Sequence, residues 1–193
     1  AAIGRPFVLN IADMGLVQKV VKALSLSEKA EKALYRAIES KSEAGVRAVC
    51  AEENADPATV CSLLALHGTL DAVLLDAPCS GLGVMADKPD VKYRVTPESV
   101  EEIVRTQRQL LDTVAPYVKR GGTLVYSTCS VLKEENERQI EVFLKRHAEF
   151  ELQPLPECIP EEFRRHAGVG LQLLPSRDGV EGFYICRMRR KRI

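Results

Sequence analysis

Two of the six cysteines stand where a side chain can reach a ligand. Cys79 follows the apolar run from Leu70 to Asp76, in the string LLDAPCSGLG, and Cys129 closes the run TLVYSTC. Both runs are rich in β-formers and read as buried strands, so each cysteine lies just past a strand end. The two are 50 residues apart, with a long helical pattern between them. Adjacent parallel strands joined by one helix would put both thiols side by side at the carboxyl edge of a sheet, where open α/β sheets bind ligands. A thiolate adds to an electron-poor carbon and can later be expelled, so two thiols at one site point to covalent catalysis. Asp76 adds a carboxylate at the end of the strand that leads to Cys79.

The other cysteines, Cys50, Cys61, Cys158 and Cys186, read as bystanders, because free cysteine is usually a small buried apolar residue. No C-x-x-C and no Cys/His cluster at zinc spacing is present, so neither a metal site nor a thiol redox protein is expected. A disulfide framework is not expected in a chain with an ordinary core, and a reducing cytoplasm fits these thiols best. His67, His147 and His166 have no Ser or Cys partner motif nearby and are given no catalytic role.

The elements that must position the two cysteines alternate between strand and helix. FVLNIA (Phe7 to Ala12) reads as a strand and Leu16 to Ser42 as helix, with a break near Ser25 to Ser27 and an end at Gly45. Val46 to Glu52 reads as a short strand, followed by a helix from Asp56 to about His67. After the strand Leu70 to Asp76 comes a Gly- and Pro-marked loop to about Pro97, then an amphipathic helix to Val118. Gly121-Gly122 reads as a turn into a strand from Thr123 to Ser127. The KEENE string opens a helix from Lys133 to His147. The stretch from Phe150 to Leu174 reads as irregular, and GFYICRM (Gly182 to Met188) as the last strand. The fold class is therefore α/β: a Rossmann-like, doubly wound, mostly parallel sheet with an antiparallel C-terminal strand, in a single domain over residues 1–193.

LLDAPCSGLG with KPDVKYR, then GGTLVYSTCSVLKEENE, and finally LQLLPSRDGVEGFYICRM resemble motifs of the RsmB/NOL1/NSUN family of RNA cytosine-5 methyltransferases. The resemblance runs from about Leu70 to Met188 and is nearest to the bacterial branch that modifies small-subunit ribosomal RNA. It implies transfer of a methyl group from S-adenosylmethionine to carbon 5 of cytosine. It implies Cys129, of the Thr-Cys type, as the nucleophile at carbon 6, and Cys79, of the Pro-Cys type, as an aid to product release. It implies that Asp76 lies between methyl donor and target base. Lys88, Asp90, Lys92 and Arg94 match the family's basic loop, with Lys88, Lys92 and Arg94 the candidates for RNA contact. The target base must be unpaired or flipped for its carbon 6 to be reached.

The N-terminal third departs from the family, which carries a Gly-rich loop of the Ala-Ala-Pro-Gly-Gly-Lys type after its first strand. Two readings stay open. In the favoured one the chain begins after that loop and FVLNI is the second strand. Asn10 then stands where an acid binds the ribose, with Asp13 nearby, and Glu52 matches the acid near the adenine. In the other, VLNIADMG is a degraded form of the loop, with Gly15 its one glycine. Either way the first strand is normally central, and FVLNIA is the segment that could fill its place.

Lys+Arg and Asp+Glu are both 27, so the formal net charge is zero, which argues mildly against RNA binding by bulk charge. Positive charge collects instead at the C-terminus, RMRRKRI, which reads equally as a solvated end. No apolar run reaches membrane-span length and the first residues lack a signal-peptide pattern. The expected state is a cytoplasmic monomer that works on RNA, without metal. A second reading, of a different class, is a non-catalytic RNA-binding or assembly module that keeps the fold without binding cofactor.

Overall fold

The computed structural model describes residues 7–10, 44, 48 and 67–192. The chain divides into two compact units, one of Ala1–Ala12 with Gly68–Ile193 and one of Asp13–His67. The first unit holds a six-stranded sheet in the order β1-β2-β3-β6-β4, with β5 also paired to β6. Its strands are β1 (Phe7–Asn10), β2 (Leu70–Asp76), β3 (Val118–Thr128), β4 (Phe150–Leu152), β5 (Leu171–Leu173) and β6 (Phe183–Arg190). β1, β2 and β3 are mutually parallel, whereas β6 runs antiparallel to β3, β4 and β5. This is the α/β, mostly parallel sheet with an antiparallel final strand that the alternating pattern implies.

The core lies where period-2 and period-3.6 patterns meet. Val73 and Leu75 of β2 and Leu124 and Tyr126 of β3 are buried, as are Cys186 and Met188 of β6. The helix α2 (Pro97–Val114) buries Gln107, Leu110, Leu111 and Val114. α3 (Glu137–Arg146) buries Gln139, Ile140 and Phe143. The start of α2 is a reciprocal cap: Thr96 Oγ1 accepts from Ser99 N at 3.2 Å, and Ser99 Oγ accepts from Thr96 N at 2.9 Å. Proline follows at the first helical position, where its missing N–H is no loss. Thr96→Ala is expected to destabilise the fold by about 1 kcal/mol, read as a lower urea midpoint with an unchanged slope.

Several expectations need correction. Gly121-Gly122 does not turn the chain: β3 passes through both residues without a break. Gly121 sits at φ 78°, and the pairing with β2 slips from Leu70↔Val118 to Ala72↔Thr123. Two glycines absorb a bulge here, since a Cβ on Gly122 would stand 2.9 Å from the Lys119 carbonyl oxygen. The expected loop from Ala77 to Pro97 contains a short helix, α1 (Val91–Arg94). The helix expected from Lys133 begins only at Glu137, because Glu135 and Asn136 are turned inward and buried. The stretch after Phe150 contains β4 and β5 rather than irregular chain alone. Ala48 is helical, although a strand was expected from Val46 to Glu52. Val46, Val49 and Cys50 are spaced i, i+3, i+4, which suits a helix as well as an apolar strand. The expected helices from Leu16 and from Asp56 otherwise lie outside the described residues.

β1 pairs directly with β2, aligning Asn10 with Asp76. Among the described residues β1 is the end strand of the sheet, with β2 as its neighbour. The C-terminal arginines are not merely a solvated end. Arg190 donates to the carbonyl oxygens of Val118 at 2.7 Å and Pro116 at 3.3 Å, and Lys191 Nζ donates to that of Ala148 at 2.7 Å.

Candidate active site

The parallel pairing of β2 and β3 delivers the two cysteine loops to one place. Asp76 pairs with Ser127 in register, and the amide of Ala77 donates to the Ser127 carbonyl at 2.9 Å, so the loops leave the sheet side by side. Cys79 Sγ and Cys129 Sγ are 3.1 Å apart. Both thiols are free and partly exposed. Ser127 Oγ donates to Asp76 Oδ1 at 2.9 Å, which fixes one carboxylate oxygen beside the cysteines. The Asp76 residue itself is exposed.

The two thiols differ in acidity. The hydrogen bond between the Cys79 and Cys129 sulfurs, in which either sulfur can donate, lowers Cys129 from the usual thiol range to about 7, against the opposing effect of partial burial. The Asp76 and Glu135 charges also oppose the Cys129 thiolate, with smaller effect. The same hydrogen bond, followed by burial, pushes Cys79 far above that range. Cys129 is therefore the sulfur that carries negative charge near neutral pH. By contrast, burial pushes Cys186 up to about 12.

A third chain segment closes the site. The amide of Gly83 donates to the Cys129 carbonyl at 3.0 Å, and the amide of Gly182 donates to the Gly83 carbonyl at 2.9 Å. The Cys79 loop, the Cys129 loop and the segment before β6 are thereby tied backbone to backbone. The approach requires glycine, because a Cβ on Gly83 would lie 1.9 Å from the Gly182 carbonyl oxygen.

With this geometry in view, comparison with known proteins is decisive. The model of the 16S rRNA methyltransferase RsmB/F family matches residues 9–189. The chain belongs to this family. Among curated relatives, a probable ribosomal RNA small subunit methyltransferase B of Bacillus subtilis (strain 168) is 45% identical over 123 residues, covering 63% of this chain and 28% of the relative. The ribosomal RNA small subunit methyltransferase B of Photorhabdus laumondii is 39% identical, covering 63% of this chain and 26% of the relative. The RsmB/F chain thus spans between a quarter and a third of the length of these relatives. The crystal structure of NSun6 from Pyrococcus horikoshii with SFG superposes with a TM-score of 0.55 at 29% identity, covering 67% of this chain and 32% of that one. The sheet of this RsmB/F chain is accordingly of the class I methyltransferase type.

Of the residues singled out from the sequence, this RsmB/F structure brings together Cys79, Cys129 and Asp76, and aligns the backbone of Asn10 with Asp76. Glu52, Asp13 and Gly15 lie outside the described residues. Lys88, Lys92 and Arg94 are exposed. Arg94 forms an ion pair with Asp90, and Lys92 Nζ lies 4.9 Å from the centre of the Tyr93 ring. Sequence reasoning missed the buried polar residues beneath the cysteines: Ser80, Ser130, Glu135, Asn136 and Gln107. One signal was available, since each cysteine is followed by a serine.

The difference in acidity between the two thiols has a measurable consequence. Alkylation of Cys129 by iodoacetamide is expected to rise with pH through about 7, because ionisation of a lowered thiol is half complete there. Cys79 is expected to remain unmodified over the same range. Peptide mapping after short alkylation pulses checks both; equal labelling with a midpoint near 9 would contradict the asymmetry.

Proposed function

We propose that this chain carries the catalytic centre of an S-adenosylmethionine-dependent RNA methyltransferase that modifies carbon 5 of cytosine, in ribosomal RNA, in the cytoplasm and as a monomer. The observation that carries the reading is the contact of two inequivalent thiols at the carboxyl edge of parallel strands. Carbon 5 of cytosine is a poor nucleophile. Addition of the Cys129 thiolate at carbon 6 makes the ring enamine-like, so that carbon 5 can attack an electrophilic methyl group. The carbon 5 proton must then leave, and elimination of the Cys129 sulfur restores the ring and frees the product.

Cys79 suits the second half of this cycle. Its hydrogen bond with the Cys129 sulfur is the largest cause of its high pKa. Once Cys129 is bonded to carbon 6, the thiolate acceptor is gone and Cys79 becomes easier to ionise. Once its own proton has passed to solvent, the Cys79 thiolate can accept the carbon 5 proton, while the electrons of the broken carbon–hydrogen bond form the 5,6 double bond and expel the Cys129 sulfur.

The residues present fit the methyl donor in charge. Asp76 is an exposed carboxylate at the strand edge, close enough for its charge to oppose the Cys129 thiolate. A cationic sulfonium beside it would relieve that opposition. Asp76 would hold S-adenosylmethionine, with Asn10 and Glu52 as further candidates, and the bound cofactor supplies the methyl group. Lys88, Lys92 and Arg94 would meet RNA phosphates.

The test combines calorimetry with S-adenosylmethionine and transfer of labelled methyl groups to small-subunit ribosomal RNA, with nucleoside analysis of the product. Binding together with labelled 5-methylcytidine is expected. Label on another atom would overturn the carbon 5 assignment. Absence of cofactor binding at millimolar concentration would favour a module that keeps the fold without activity.

A further inference from the structure

Beneath the two cysteine loops lies a carboxylate for which the covalent scheme has no use. Glu135 is fully buried. Its Oε2 accepts from the Ser80 amide at 2.7 Å and from Gln107 Nε2 at 3.2 Å. Its Oε1 accepts from Ser80 Oγ at 2.5 Å and Ser130 Oγ at 2.8 Å. Ser80 and Ser130 directly follow Cys79 and Cys129, and their hydroxyl oxygens are 3.2 Å apart. Gln107 also donates to the carbonyl of Pro78, the residue before Cys79, at 2.9 Å. The backbone of Glu135 is itself pinned, since Tyr126 Oη donates to its carbonyl at 2.7 Å.

Every donor to this carboxylate among the described residues is neutral. A buried charge without a cation is costly to desolvate, and only a full set of donors makes it tolerable. That set is drawn from both cysteine loops. The charge also works against chemistry, because it opposes ionisation of both thiols. A neutral side chain would avoid that penalty, so the carboxylate needs a compensating task, and the donor list identifies it.

We propose that Glu135 is a positioning residue which, through Ser80 and Ser130, holds the Cys79 and Cys129 loops at thiol–thiol contact. The consequence for catalysis rests on the function proposed above; the positioning itself does not. Without the carboxylate, two serine hydroxyls and a backbone amide lose their common acceptor, and the loops keep their backbone bonds at Ala77 and Gly83 but lose the tie at the residues next to the thiols. With glutamine, the side-chain oxygen can accept from the Ser80 amide and Gln107 while its NH2 group donates to the hydroxyls. That variant keeps the tie and removes the charge.

The experiment uses the whole chain and diamide, a diazene oxidant. Diamide takes two electrons and two protons from the thiols to form a Cys79–Cys129 disulfide and is reduced to the hydrazine. The linked peptide is quantified by mass spectrometry. Glu135→Ala is expected to form it at least ~10-fold more slowly than the unaltered chain, as a displacement of about an ångström suffices for such losses. Glu135→Gln is expected to stay within about threefold and to alkylate Cys129 at lower pH, a shift that a purely structural residue would not cause. Ser130→Ala, a smaller change, is expected to slow linkage by about threefold or more, and it serves if Glu135→Ala does not fold. Linkage at the unaltered rate in folded Glu135→Ala or in Ser130→Ala would overturn the proposal, as would an unshifted alkylation profile in Glu135→Gln. None of these readouts needs RNA, so failure to trap a pyrimidine would count against the proposed function alone.

Discussion

Cys129→Ala is expected to lower methyl transfer by about 10³-fold or more, with cofactor affinity unchanged, because the thiolate that activates the ring is removed entirely. Single-turnover incorporation of labelled methyl groups into RNA reads the loss. Cys79→Ala serves as the contrast. The hydrogen bond with Cys79 is the largest influence lowering Cys129, so its removal makes Cys129 a weaker acid and slows the first attack near neutral pH. Raising the pH should recover that step. It should not recover product release, so covalent protein–RNA complex should accumulate with ordinary cytosine in Cys79→Ala and be absent in Cys129→Ala. If the two variants behave alike at all pH values, the division of labour is wrong.

Gly83→Ala should be the most damaging single substitution in the described part of the fold. The added carbon would stand 1.9 Å from the Gly182 carbonyl oxygen, 2.6 Å from its carbon and 2.8 Å from the Cys129 carbonyl oxygen. All three are backbone atoms, so no rotamer change relieves the contact. The Gly83 amide also holds the Cys129 carbonyl, so any retreat breaks the tie between the cysteine loops. A loss of about 3 kcal/mol or more is expected, at the upper end for overpacking. For a domain of this size that lowers Tm by roughly 6 to 12 °C. Thermal denaturation checks the stability, and Cys79–Cys129 cross-linking checks the site. A Tm within about 2 °C of the unaltered chain would contradict the crossing described here.

The parts of the site that could be read from sequence are those in which local pattern and chemistry coincide. LDAVLLD and TLVYST carry the alternation and β-branching of strands, and a cysteine after each is conspicuous because strand ends are where such sheets act. The parallel pairing and the thiol contact both follow from those two runs and the helix between them. Glu135 was hidden because an acid beside a helix start reads as a first-turn residue. Only the three-dimensional meeting of Ser80, Ser130 and Gln107, drawn from three separate segments, turns it inward. Gly121-Gly122 was misread for a related reason: a glycine pair marks an unusual backbone, and only the partner strand decides between a turn and a bulge. Residues Val46 to Glu52 show the ambiguity of short apolar runs, whose spacing serves a helix and a buried strand equally.

The most direct test of the central claim is a trap. RNA carrying 5-fluorocytosine has no proton to lose at carbon 5, so methylation stops at the covalent adduct. The account predicts a stable protein–RNA complex dependent on S-adenosylmethionine, with the pyrimidine mapped by mass spectrometry to Cys129. An adduct on Cys79, or one that survives Cys129→Ala, would contradict it.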